Sequence, residues 1–167
     1  MKDFEYSTPQ TLREAVKLLA DKGDDARVLA GGTDLIVQMR GRRFQPERVV
    51  DIKKIPEVNE LTFSARKGLR IGAAVPCHTI YSNTDVIERF PGIVDCAMII
   101  GGIQIQGRAT IGGNLCNASP SADTIPTLIA YGAIAEVQGP EGKRKIPVEE
   151  FCVSPGRNGL KPGEMLV

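Results

Sequence analysis

Two short stretches carry residue types that could do chemistry. "RVLAGGTDLIVQMRG" (Arg27 to Gly41) breaks an apolar run on Gly31 and Gly32, and "ATIGGNLCNASPSAD" (Ala109 to Asp123) ends a β-branched run on Gly112 and Gly113. Glycine accepts positive φ and lets a ligand approach the backbone, so consecutive N–H groups can converge on an anion. Thr33 and Asn114 follow the pairs as further donors, and a helix opening near Asp34 adds the positive end of its dipole. Such a site would hold a diphosphate without lysine or arginine. A glycine pair after a strand is also the ordinary signature of a tight turn, and that reading stays open for either pair alone. The familiar phosphate loops are excluded, because neither GxGxxG nor GxxxxGK[ST] occurs.

Asp123 is the third feature. It precedes an apolar helical stretch, where it can cap the helix or accept hydrogen bonds from ribose or ribityl hydroxyls. Arg40, Arg42, Arg43 and Arg48 form a short basic run, read as a solvated face. His78, the only histidine, has no nucleophile or carboxylate companion in the sequence. Cys77, Cys96, Cys116 and Cys152 are far apart with no CxxC pair, a spacing that disfavours zinc or iron–sulfur ligation. No Ser-His-Asp or paired-carboxylate pattern stands out, so a reaction here would belong to a bound organic cofactor.

The elements that must position these residues are short. Thr8 is expected to cap a first helix with Pro9 in its first turn, Leu12, Ala15, Val16 and Leu19 as its buried stripe and Gly23 as its stop. A strand over Arg27 to Ala30, a helix from about Asp34 to Met39 and a strand over Arg48 to Ile52 then form a small β-α-β unit. After "KKIPEVNE" the pattern changes. "LTFS" and "LRIGAAV" read as strands, "TDVIERF" and "IVDCAMII" as helices, "RATIGGNL" as a strand running into a glycine turn, and "ADTIPTLIAYG" as a helix. "AIAEVQG" and "KRKIPV" make a hairpin across "PEGK". The expected fold class is α+β, in two lobes, residues 1–55 and 56–167, the second with mainly antiparallel sheet.

At 167 residues with a net charge of +1, the chain can bury a core but builds no broad positive field, which argues against nucleic acid or an anionic membrane as partner. "MKDFEYSTPQ" lacks the apolar core of a signal peptide and no later run is long enough to span a bilayer, so a cytoplasmic protein is expected. The closing "LKPGEMLV" is an apolar run without a polar tail and reads as a cut edge, where another segment or chain would continue.

With "LAGGTDLIVQMR" and "RATIGGNLCNASPSADTIPTLIAYGA" in place, the sequence resembles the FAD-binding (medium) subunit of the molybdenum hydroxylases, the xanthine dehydrogenase and carbon monoxide dehydrogenase group. The likeness runs from "FEYSTPQTLREAVKLLA" to "LKPGEMLV". It implies a two-lobed flavoprotein fold similar to that of vanillyl-alcohol oxidase-type enzymes, with FAD extended between the lobes. By that resemblance Val28, Leu29, Ala30, Gly31, Gly32, Thr33, Asp34 and Leu35, together with Thr110, Ile111, Gly112, Gly113 and Asn114, wrap the diphosphate and its neighbours. Asp123 reaches a sugar-like hydroxyl, and Ile100 and Leu166 match contact positions near the flavin.

The resemblance also implies an oxidoreductase in which a molybdopterin subunit hydroxylates the substrate and an iron–sulfur subunit relays the electrons. FAD then passes them to NAD+ or another acceptor. The family's C-terminal domain, with a lysine used near the flavin, does not follow the last strand, so a separate chain supplying it is one expected partner. Two other functions stay open: a flavin domain serving mainly as an assembly module, and a free-standing flavin oxidoreductase of the same fold.

Overall fold

The computed structural model describes residues Met1–Val167. The first third contains β1 (Glu5–Ser7), α1 (Leu12–Lys22), β2 (Ala26–Leu29), α2 (Leu35–Arg40) and β3 (Arg48–Asp51). The strands form one parallel sheet in the order β1-β3-β2. The expected β-α-β unit is there with an added strand, since the short segment Glu5–Ser7 pairs with β3. Thr11, rather than Thr8, caps α1: its hydroxyl accepts from Glu14 N–H at 3.2 Å. Pro9 is buried ahead of the helix. Leu12, Ala15, Val16 and Leu19 bury the expected stripe, and Gly23 stops the helix at φ 50°.

Next come β4 (Leu61–Ser64) and β5 (Gly68–Ile71), an antiparallel pair, and then a run of short helices: α3 (Cys77–Tyr81), α4 (Thr84–Arg89), α5 (Pro91–Met98), α6 (Ile103–Gln106), α7 (Ile111–Asn117) and α8 (Ile125–Ala130). The hairpin of β6 (Ile134–Gly139) and β7 (Gly142–Pro147) leads to α9 (Val148–Phe151), β8 (Cys152–Ser154), β9 (Arg157–Asn158) and β10 (Met165–Leu166). β10 returns to pair with β6, giving an antiparallel sheet in the order β10-β6-β7. No helix is long and apolar enough to cross a membrane.

One expectation is overturned in a way that matters for the site. "RATIGGNL" is not a strand ending in a turn. Thr110 makes a single bridge with Pro76 and then caps α7, so Gly112 and Gly113 lie in the first helical turn. The β-branched Thr110 and Ile111 favour a strand locally, but the Thr110 hydroxyl satisfies a helix-start amide and the helix prevails.

Two main hydrophobic clusters hold the chain together. One joins α1 and β3 through Leu12, Val16, Leu19, Val50 and Ile52, and the other gathers Ile80, Val86, Ile93, Leu115, Val137 and Phe151. The boundary near residue 55 is crossed by later residues, since Val58, Ala74, Met165 and Val167 all pack into the first cluster. Successive residues of a strand face opposite ways, so Met165 and Val167 enter the first cluster while Leu166 enters the second. Truncating Met165, fully buried, to alanine is expected to cost about 2–5 kcal/mol.

Arg48 is no part of a solvated face. It is 8 % exposed and binds Leu18 O (2.9 Å), Asp21 (2.8 Å) and Glu5 (2.9 Å), which ties α1, β1 and β3 together. Arg40, Arg42 and Arg43 are exposed as expected.

Candidate functional site

Both glycine motifs open onto one cleft of about 520 Å³, walled by the loop after β2, the first turn of α7 and the turn that leads into β10. That volume lies within the usual range of ligand pockets, about 300–1,000 Å³.

The loop after β2 presents a row of donors. Gly31, Gly32, Thr33 and Asp34 all line the cleft, and none of their N–H groups donates to an acceptor within the chain. Two of their carbonyls are held instead: Gly32 O accepts from Ile36 N–H at 3.1 Å and Asp34 O from Gln38 N–H at 2.9 Å, which starts α2. Gly32 takes φ +80°, where a side chain is strained. Four consecutive unpartnered amides suit an acceptor with several oxygens and negative charge, the chemistry of a diphosphate.

Across the cleft, Thr110 Oγ1 accepts from Gly113 N–H at 2.9 Å and Thr110 O from Asn114 N–H at 3.0 Å. The amides of Ile111 and Gly112 are left as the free donors of the first turn. Asn114 has a structural task as well: its Oδ1 accepts from Thr124 Oγ1 (2.7 Å) and Thr124 N–H (3.3 Å), fixing the start of α8. Only its Nδ2 remains to donate elsewhere.

The glycines of each pair divide their roles. A Cβ on Gly31 would lie 2.1 Å from Arg108 O, and one on Gly112 would lie 2.5 Å from Ala73 O and 2.6 Å from Ala73 Cα. Those two permit backbone to pack on backbone. A Cβ on Gly113 would meet only Thr110 Oγ1, at 3.0 Å, so that side of the helix is otherwise open.

Of the residues singled out in the sequence, Val28, Ala30, Gly31, Gly32, Thr33, Asp34, Leu35, Ile100, Thr110, Gly112, Gly113, Asn114 and Leu166 line the cleft. Three do not. Leu29 packs its side chain beneath Gly32, Ile111 is buried in the second cluster, and Asp123 is exposed on the surface next to α8. Asp123 is not the helix cap either, since Thr124 holds that position.

The wall also contains cations that the sequence reading left out. Arg27, Arg43, Arg157 and Lys161 line the cleft, so the notion of a site free of lysine and arginine is corrected. Arg27 and Arg43 lie over the ring of Phe44 at 5.0 and 5.7 Å, within cation–π range, and Phe44 is itself part of the wall. The signal was present in "GRRF", but nothing in a charge run says which arginines fold back onto an aromatic ring.

The turn before β10 is pinned by Glu164, which takes two hydrogen bonds from Arg144 (2.7 and 2.6 Å) and one from Lys161 N–H (2.7 Å). The Arg144 guanidinium holds the Glu164 carboxyl below the usual carboxylate range. Cys116 lies in the cleft wall, and burial pushes its thiol up to about 12, as it does for Cys77 in the core. Nowhere do three His, Cys, Asp or Glu side chains converge in a metal-holding group.

The chain is similar in sequence and fold to known proteins. The family model described as FAD binding domain in molybdopterin dehydrogenase matches residues 2–167. The chain is 35% identical to the xanthine dehydrogenase FAD-binding subunit of Escherichia coli O157:H7, covering 100% of this chain and 57% of the relative. It is 34% identical to the carbon monoxide dehydrogenase medium chain of Hydrogenophaga pseudoflava, covering 98% and 57%. Among solved structures, the CO dehydrogenase from Oligotropha carboxidovorans superposes with a TM-score of 0.95 at 32% identity, over 99% of this chain and 57% of the other. Quinoline 2-oxidoreductase from Pseudomonas putida 86 gives 0.94 at 28%, over 100% and 59%. The chain thus spans a little over half the length of these relatives. With its cleft, its row of unpartnered amides and this match along nearly its whole length, the chain belongs to the family of FAD-binding domains of molybdopterin dehydrogenases.

Proposed function

We propose that this chain is the flavin-holding, electron-transferring part of a molybdenum hydroxylase-type complex in the cytoplasm. Its electrons would arrive from a molybdopterin subunit through an iron–sulfur subunit and leave to NAD+ or another acceptor. The observation that carries this reading is the set of four unpartnered amides at Gly31–Asp34, facing the start of α7 across one cleft. It is supported by relatives named as FAD-binding and medium subunits of xanthine and carbon monoxide dehydrogenases.

FAD, when bound, supplies a group that takes up and releases electrons singly or in pairs, which suits it to couple one-electron clusters to a two-electron acceptor. The residues of this chain do the holding. The amides of Gly31 to Asp34 and of Gly112 bind the diphosphate oxygens, and the Thr33 hydroxyl and Asn114 Nδ2 add side-chain donors. Arg27 and Arg43 offset phosphate charge from the cleft wall. The buried side chains of Ile100 and Leu166 give the flavin end an apolar surface that keeps water away. In this reading residues 1–55 and 56–167 act as two lobes closing on one ligand, and Asp123 serves a sugar hydroxyl only if FAD reaches beyond the cleft wall.

The visible absorption spectrum tests the proposal. Purified protein is expected to be yellow, or to become so on titration with FAD, and NADH is expected to bleach it if NAD+ is the acceptor. A chain that binds no FAD at micromolar concentration would overturn the reading and leave an assembly role.

A further inference from the structure

The first amide of the donor row is fixed from behind. Lys53 Nζ donates to Ala30 O at 3.2 Å and to Asp51 Oδ1 at 2.7 Å. Asp51, 7 % exposed, also accepts from Lys53 N–H at 3.0 Å and from the Tyr6 hydroxyl. A chain of contacts therefore runs from β1 through β3 to the last residue before the glycine pair. Every peptide bond is trans, so the carbonyl of Ala30 and the N–H of Gly31 point in opposite directions from one peptide plane. Ala30 and Gly31 line the cleft and Lys53 does not. Lys53 therefore holds the carbonyl on one side of the peptide and leaves the Gly31 N–H on the other, where it has no acceptor from the chain.

We propose that Lys53, aligned by Asp51 and Tyr6, is a positioning residue for the anion loop. It sets the direction of the Ala30–Gly31 peptide and so orients the Gly31 N–H for the diphosphate of FAD. This rests on the reading of the cleft given above. The Asp51 carboxylate balances the lysine charge, so the effect is directional rather than a long-range attraction. A charged donor on the carbonyl also polarises the peptide and makes its N–H a stronger donor on the other side. The Gly31–Gly32 hinge needs such a restraint, because two glycines in succession can rotate the intervening peptides at little steric cost.

The test compares wild-type chain with Lys53→Met, Lys53→Arg and Tyr6→Phe. FAD affinity is read by flavin fluorescence, ADP affinity by competition, and the thermal midpoint without ligand serves as a check on folding. Lys53→Met is expected to weaken FAD and ADP alike, by about tenfold, because both carry the diphosphate. Lys53→Arg, which keeps a charged donor, is expected to recover most of the loss. If Lys53→Met does not fold, Tyr6→Phe carries the test, since it trims one donor from a half-exposed side chain and is expected to weaken both ligands by about twofold. Wild-type affinity in the folded Lys53→Met chain, or in Tyr6→Phe where that chain does not fold, would overturn the inference and leave the cleft reading standing. So would loss of FAD with ADP unchanged. A wild-type chain that binds neither ligand would overturn both.

Discussion

The carbonyl of Arg108 occupies the space that a side chain on Gly31 would need, with a Cβ there only 2.1 Å away. The loop after β2 and the segment leading into α7 thus touch backbone to backbone, and this contact sets how closely the two glycine motifs approach. Any side chain at Gly31 would push the two walls of the cleft apart.

Gly31→Ala and Gly113→Ala should therefore behave differently. The first forces backbone atoms to move and is expected to lower stability by about 1–3 kcal/mol or more, as overpacking does. The second meets only Thr110 Oγ1 and replaces a helical glycine, so its stability should stay within about 1 kcal/mol of wild type while FAD affinity falls. Urea unfolding paired with FAD titration separates them, and parallel losses in both variants would mean that both glycines serve packing alone.

Thr110→Ala removes the hydroxyl that accepts from Gly113 N–H. The expected cost is about 1 kcal/mol of stability, together with weaker FAD binding as the first turn of α7 loosens. Thr110→Ser keeps the oxygen and should recover most of both. Chemical denaturation and flavin fluorescence on the two variants check this.

Stability should fall in acid through the paired carboxylates. Arg70 holds Glu136, and Arg144 holds Glu164, below the ordinary value of 4.5. The unfolded chain then binds these protons more readily than the folded one, so the contribution of both pairs is complete above that value and is lost as pH falls through the folded values. Glu164→Gln is expected to be less stable than wild type at neutral pH, with the difference shrinking as pH falls below 4.5. Urea midpoints across that range provide the measurement, and a difference independent of pH would contradict the assignment.

Thiol labelling should follow burial. Cys77 is fully buried with its thiol raised to about 12, and is expected to resist iodoacetamide at neutral pH until the chain unfolds. Cys116 lies in the cleft wall, so FAD should slow whatever labelling it shows. Mass spectrometry of alkylated peptides with and without FAD tests both statements.

Much of this protein could be read from its residues one after another. The α1 stripe, the β-α-β unit, the β6–β7 hairpin and the glycine pairs are local patterns, set by side-chain periodicity and by the freedom of glycine. The resemblance carried by "LAGGTDL" and "TIGGNL" led to the family in the same way. What local pattern misjudged was α7, where strand propensity pointed one way and a single cap hydrogen bond from Thr110 decided the other.

The rest was decided by tertiary contact. That Gly31 must be glycine because of Arg108, that Asn114 is committed to Thr124, that Arg48 is a buried tie and that Arg27 and Arg43 meet on Phe44 all depend on residues distant in sequence or on how loops fold back. Sequence determined the donors that this protein has, because residue type fixes what a group can donate. Only the folded structure decided which of them are spent inside the chain and which are left facing the cleft, because that depends on which acceptors the fold brings within reach.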